Sequence, residues 1–219
     1  MCLAVRRDEK GAGRHWHPNR RCRKREPGAS SAERSATHDL TGNGVITNHP
    51  VSRGTASSGE SDPACRMIRH TLATLAYRAS KAVRGAPPDF GSFRTGPTTR
   101  TPGEILAHMG DLMDWALTIA QHRIEWRVNA IQSWSDDVNR LFSGISALDE
   151  YLASDVTLDV GTLGQLFQGP IADALTHTGQ LTLLRRLADS PVRAENYQRA
   201  LIEVGQTGLE QPPPQREFD

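Results

Sequence analysis

Apolar residues return at steps of three and four in four stretches of this chain, and all four lie beyond residue 62. Such spacing lines up side chains on one face of a helix. Ile68, Leu72, Leu75, Ala79 and Ala82 form the first stripe. Asp62 and Pro63 suit an N-cap and a first helical position, while Gly85 and the Pro87-Pro88 pair stop the run, so a helix is expected over 63–84. Thr101-Pro-Gly-Glu104 is a capping-box pattern, with proline where its missing N–H does no harm, and it opens a second helix on Ile105, His108, Leu112, Trp115 and Ile119. Val138, Leu141, Ile145, Leu148 and Leu152 mark a third helix ending near Ser154. The fourth is expected over 162–188, where Leu166, Pro170, Asp173, His177, Leu181, Leu184 and Ala188 share a face and Pro170 should kink the helix just before Asp173. A short fifth helix is expected over 196–204, then a Pro-rich tail, 206–219. No strand pattern or internal repeat is found. The expected fold is all-α: a four-helix bundle over residues 63–205, preceded by a disordered N-terminal extension.

Three polar residues break these stripes where a core would take apolar ones: His108 in the second helix, and Asp173 and His177 in the fourth. A carboxylate directed into a bundle must be protonated or find a cationic partner. A divalent metal ion is one such partner. Asp173 and His177 are one turn apart, with Cβ atoms about 5–6 Å from each other, close enough to reach one ion. His108 from a neighbouring helix supplies a third ligand. Two imidazoles and one carboxylate leave coordination positions for water or substrate, as in catalytic sites. A divalent ion with one aspartate keeps a net charge of about +1, which favours hydroxide or thiolate at the open position. The plainer alternative has His177 hydrogen-bonded to Asp173 along one helix and His108 satisfied by a carbonyl. Glu104, Asp111 and Gln180 lie within one turn of a ligand and are candidates for orienting it, although acidic residues near a helix start also complement its dipole.

Composition divides the chain in two. Residues 1–62 carry 11 Lys and Arg against 7 Asp and Glu, and residues 63–219 carry 15 against 18. The first segment is rich in Gly, Ser, Arg, Thr and Asn and has too little apolar content to order itself. Its run Arg20-Arg-Cys-Arg-Lys-Arg25 could neutralise phosphates, but a solvated charge run is the expected reading, so nucleic acid is not expected as a partner. Met67 offers an alternative start just before the first stripe, so the extension need not belong to the natural product. The cysteines, Cys2, Cys22 and Cys65, are expected ahead of the apolar helical region, which argues against a disulfide framework or a cysteine nucleophile in the core. No membrane span or signal peptide is recognised, and a cytoplasmic protein is expected. Trp126 and Trp134 bracket the connection between the second and third helices and could edge a pocket. His122, Arg123, Arg127, Arg185 and Arg186 could meet an anion, with helix-end packing as the plainer account. No phosphate loop, dinucleotide fingerprint or Ser-His-Asp order appears.

With Leu106-Ala-His108 on one helix and Leu175-Thr-His-Thr-Gly-Gln-Leu-Thr-Leu-Leu-Arg185 on another, residues from about 67 to 219 resemble the DinB-like superfamily of metal-binding four-helix bundles. That pattern has one histidine on the second helix and a His-x-x-x-His pair on the later one. His108 and His177 fit it, whereas Asp173 stands where the first histidine of the pair would be. The resemblance implies a divalent ion, zinc or nickel first and iron or manganese as alternatives. It also implies a small-molecule substrate, a homodimer, and transfer or isomerisation chemistry with a low-molecular-weight thiol such as mycothiol or bacillithiol. A non-catalytic binding or dimerisation module with a structural or vestigial metal site is the alternative.

Overall fold

A computed structural model describes residues 62–218. The expectations for the basic extension, including the Arg20–Arg25 run, Cys2 and Cys22, lie outside the described residues. The described part is mostly helical. Helix α1 spans Pro63–Val83, with the Asp62 carboxylate accepting from the Ala64 amide at 3.2 Å. Helix α2, Pro102–Ala120, opens on the full reciprocal cap: Glu104 N donates to Thr101 Oγ1 at 3.1 Å, and Thr101 N donates to Glu104 Oε2 at 2.6 Å. Helix α3, Trp134–Ala153, starts four residues ahead of its apolar stripe because Ser133 caps it, accepting from Asp136 N at 3.2 Å.

The fourth expected helix is interrupted. Helix α4 covers Val160–Leu166, a π-helical turn follows over Phe167–Ile171, and helix α5 runs Ala172–Leu187. Proline lacks the donor of a regular helix, and its ring crowds the carbonyl four residues earlier. The wider π-turn accommodates Pro170, so the kink expected there takes the form of an inserted turn. The start at Val160 is set by Asp159, whose carboxylate accepts from Thr162 N at 3.0 Å.

Helix α1 packs on α3 and α5, and α2 packs on the same two. Leu72, Leu75, Leu106, Met109, Met113, Leu141, Ile145, Leu148, Leu166, Ile171 and Leu181 fill the space between them and are fully buried. Each such side chain contributes about 1.5–3 kcal/mol by leaving water. Helices α2 and α3 approach closely at Gly144, where a Cβ would stand 2.8 Å from that of Met113. Cys65, expected ahead of the helical region, is instead buried on α1, with its thiol donating to the Leu152 carbonyl at 3.4 Å. Burial pushes that thiol up and keeps it inert.

Beyond α5 the expected helix over 196–204 does not form. The chain makes one 3-10 turn, Tyr197–Arg199, and a two-residue antiparallel pair of β1, Ala194–Glu195, with β2, Glu217–Phe218. The pairing fixes an extended backbone immediately before Asn196, and Leu201 is exposed rather than directed at a core. Among the described residues no helix is long and apolar enough to cross a membrane.

Candidate metal centre

His108 sits in the second turn of α2, one turn beyond the Glu104 that locks the helix start. Asp173 and His177 sit in the first two turns of α5, directly after the π-turn. The packing of α2 on α5 brings them together. His108 Nε2 lies 3.5 Å from Asp173 Oδ2, and His177 Nε2 lies 3.5 Å from Asp173 Oδ1. The imidazole rings stand nearly perpendicular, at 87°, with centroids 5.0 Å apart. One donor atom from each residue falls within 4.8 Å of the others, and the trio could hold a metal ion.

The spacing bears on the choice between the two readings of these residues. At 3.5 Å each imidazole–carboxylate contact is longer than the usual N–H···O range of about 2.7–3.2 Å, while Asp173 still favours the protonated His108 ring. Two donors bound at about 2.1 Å to a tetrahedral ion stand about 3.4 Å apart, close to the 3.5 Å between each imidazole nitrogen and its nearer Asp173 oxygen, the two contacts falling on different oxygens of the carboxylate. The Asp173 side chain keeps 46% of its surface exposed, so the group opens to solvent on one side. Burial is the largest influence on His108 and lowers its pKa; the neighbouring His177 and Arg100 lower it further, and Asp173 opposes them. A neutral imidazole offers a free lone pair, as metal ligation requires.

Of the three residues expected to orient ligands, Gln180 alone touches a member of the trio. His177 Nδ1 lies 2.9 Å from the Gln180 amide oxygen, a contact that places the ring proton on Nδ1 and leaves Nε2 to face the trio. Glu104 and Asp111 are engaged elsewhere. Glu104 closes the capping box and approaches Arg94 at 3.5 Å. Asp111 is buried, pairs with Arg140 and accepts from both Asn129 N and Asn129 Nδ2, at 3.2 and 2.9 Å.

A cleft of about 400 Å³ runs up to Asp173, lined also by Leu112, Trp115, Gln168, Gly169, Ala172 and Thr176. Trp126 stands over the same region, its ring 5.8 Å from His108 and 5.5 Å from Trp115. Trp134 packs instead against Phe90, with centroids 5.3 Å apart. Arg123 and Arg127 pair with Glu125, at 3.7 and 2.8 Å, and make no anion site. Arg185 is buried and donates to the carbonyls of Ala82, Arg84 and Gly85, closing the C-terminal end of α1, while Arg186 is exposed. The Trp115 position was visible in the second stripe, but its place in a cleft depends on the π-turn, which has no simple sequence signature. No protein-family model matches this chain, and neither does any curated protein or solved structure.

Proposed function

We propose that this protein is a DinB-like four-helix bundle that holds one divalent metal ion on His108, Asp173 and His177 and acts as a metal-dependent transferase or isomerase with a low-molecular-weight thiol. The observation that carries the metal site is the donor spacing: two imidazole nitrogens, each 3.5 Å from an oxygen of one partly exposed carboxylate. Supporting the bundle, α1, α3, α2 and α5 neighbour one another in a closed ring, with α1 returning to α5. Supporting the enzyme, Asp173 of the trio lines a cleft large enough for a small molecule.

In this reading His108 and His177 bind as neutral ligands, Gln180 holds the His177 ring in the required tautomer, and Asp173 supplies the one negative charge. A divalent ion held there would supply Lewis-acid chemistry, lowering the pKa of a thiol or water toward neutral pH. The cleft beside Asp173 orients the substrate toward that thiol or water. Zinc or nickel suits the two imidazoles, and the harder carboxylate also admits iron or manganese. A cytoplasmic setting and a homodimer belong to the same proposal.

The test is elemental analysis of the full chain purified from medium supplied with zinc, nickel, manganese and iron. About one divalent ion per chain is expected, falling at least severalfold in Asp173→Ala and His177→Ala. A folded, metal-free protein, or full metal in both variants, would overturn the assignment.

A further inference from the structure

The cleft that ends at Asp173 is lined by both apolar and polar surface. Leu112 and Trp115 of α2 form one side, and the π-turn forms the other with Gln168 and Gly169. At Gly169 the turn presents bare backbone to the indole: a Cβ there would lie 3.7 Å from Trp115 Cζ3 and 3.8 Å from Cη2. Glycine therefore leaves about one methyl group of room along the ring edge. Trp126 meets Trp115 edge-on at 84° and also meets the His108 ring edge-on, at 69°, while remaining 46% exposed.

Trp126 is held in that place. The segment after α2 is tied back to the helix on both sides of it: Glu125 N donates to Thr118 Oγ1 at 3.1 Å, and Asn129 donates to Asp111. The segment leaves α2 through two residues in the left-handed region, His122 at φ 56° and Ile124 at φ 46°. For a β-branched residue such as Ile124 that conformation is strained, and the surrounding contacts must maintain it. Trp115 lines the cleft that ends at Asp173, and Trp126, beside the cleft, packs on both Trp115 and His108, so the two indoles make an apolar corner that reaches one trio residue each.

We propose that this corner is a binding subsite for an aromatic or similarly planar apolar group, carried by a small molecule whose anionic head ligates the ion at His108, Asp173 and His177. The proposal rests on the metal reading above. The net positive charge of a divalent ion with one aspartate selects the anionic head, and the indole faces select the planar body. A cleft of about 400 Å³ admits one ring and a short linker. Trp126 acts as a specificity-determining residue, and Gly169 leaves the cleft about one methyl group wider beside Trp115.

The zinc-loaded full chain is titrated calorimetrically with acetohydroxamate and with benzohydroxamate, probes that share a metal-binding head and differ by a methyl or a phenyl group. Benzohydroxamate is expected to bind about tenfold more tightly, a gain that burial of one ring supplies. Trp126→Ala should remove that preference and leave acetohydroxamate affinity within about twofold. Gly169→Ala should weaken benzohydroxamate severalfold at unchanged zinc content. Equal affinity of the wild-type protein for the two probes, or a preference that survives Trp126→Ala, would overturn the subsite while leaving the metal site standing. Failure to retain zinc together with failure to bind either probe would instead overturn the metal reading, and the subsite with it.

Discussion

His108 is the residue whose surroundings decide whether the trio is ready for a cation. Its pKa is lowered mainly by burial and then by the neighbouring His177 and the Arg100 guanidinium. The unfolded chain therefore binds a proton at a pH where folded His108 does not. Between the folded value and the ordinary one of about 6.5, stability rises with pH; it is lost as pH falls through that window. In the metal-free protein the His108 ring should titrate below 6.5 by NMR. Arg100→Gln should move the midpoint upward, because a positive charge that opposes protonation has gone; an unmoved midpoint would remove Arg100 from the account. At this scale the sequence exposed His108, Asp173, His177 and Gln180 because all four obey one helix period. It did not expose the partners of Asp111. Asn129 and Arg140 belong to the segment after α2 and to α3, and no periodicity within one helix connects them to it.

Elements whose ends are written locally were legible. Asp62-Pro63 and Thr101-Pro-Gly-Glu104 start α1 and α2 as expected, since a cap is decided within four residues. The division of the fourth helix was legible only in part: Pro170 announced a break, but whether a helix bends or inserts a turn depends on what packs beside it, here Trp115 against Gly169. The segment joining α2 to α3 was read as a connection whose Trp126 could edge a pocket, and its attachment to α2 arises from side chains with no repeat. That attachment predicts a protease sensitivity. Arg123 and Arg127 flank Trp126 and offer trypsin sites within the tied segment. Asn129→Ala removes the side-chain half of that anchor and leaves the Asn129 N–H on Asp111, and it should speed cleavage after Arg127 severalfold, because cleavage follows the population of the opened segment. The thermal midpoint should change little, since Asp111 keeps Arg140. Unchanged cleavage would show that the Asn129 side chain does not hold the segment.

Across the described part as a whole, the last stretch of chain is fastened to the helix that opens it. Ser80 donates to the Leu209 carbonyl at 2.6 Å. Lys81 bridges Glu195 and Glu217 at 2.7 Å each, and the Tyr77 hydroxyl donates to Glu195 at 2.8 Å. Burial first, and then the Glu195 carboxylate, push the Tyr77 phenol up, so it stays protonated and keeps donating. These contacts explain why 196–204 is not a helix. Glu195 is held against α1 by two partners far away in sequence, and Asn196 N donates to the Arg216 carbonyl, so the chain enters the segment extended. Long-range capture of this kind overrides a weak local helix pattern and leaves no trace in the hydrophobic period. Glu195 has a fully buried carboxylate, whereas that of Glu217 is a quarter exposed, so the two should differ in energy although their distances to Lys81 agree. Glu195→Ala strands the Tyr77 hydroxyl and leaves Lys81 with one partner, at a cost of about 1–3 kcal/mol. Glu217→Ala should cost less, about 0–1 kcal/mol, because water reaches that pair. Urea unfolding should show the larger fall in midpoint for Glu195→Ala at an unchanged slope. If the two variants fell equally, the buried carboxylate would not be what closes β1 and β2 onto α1.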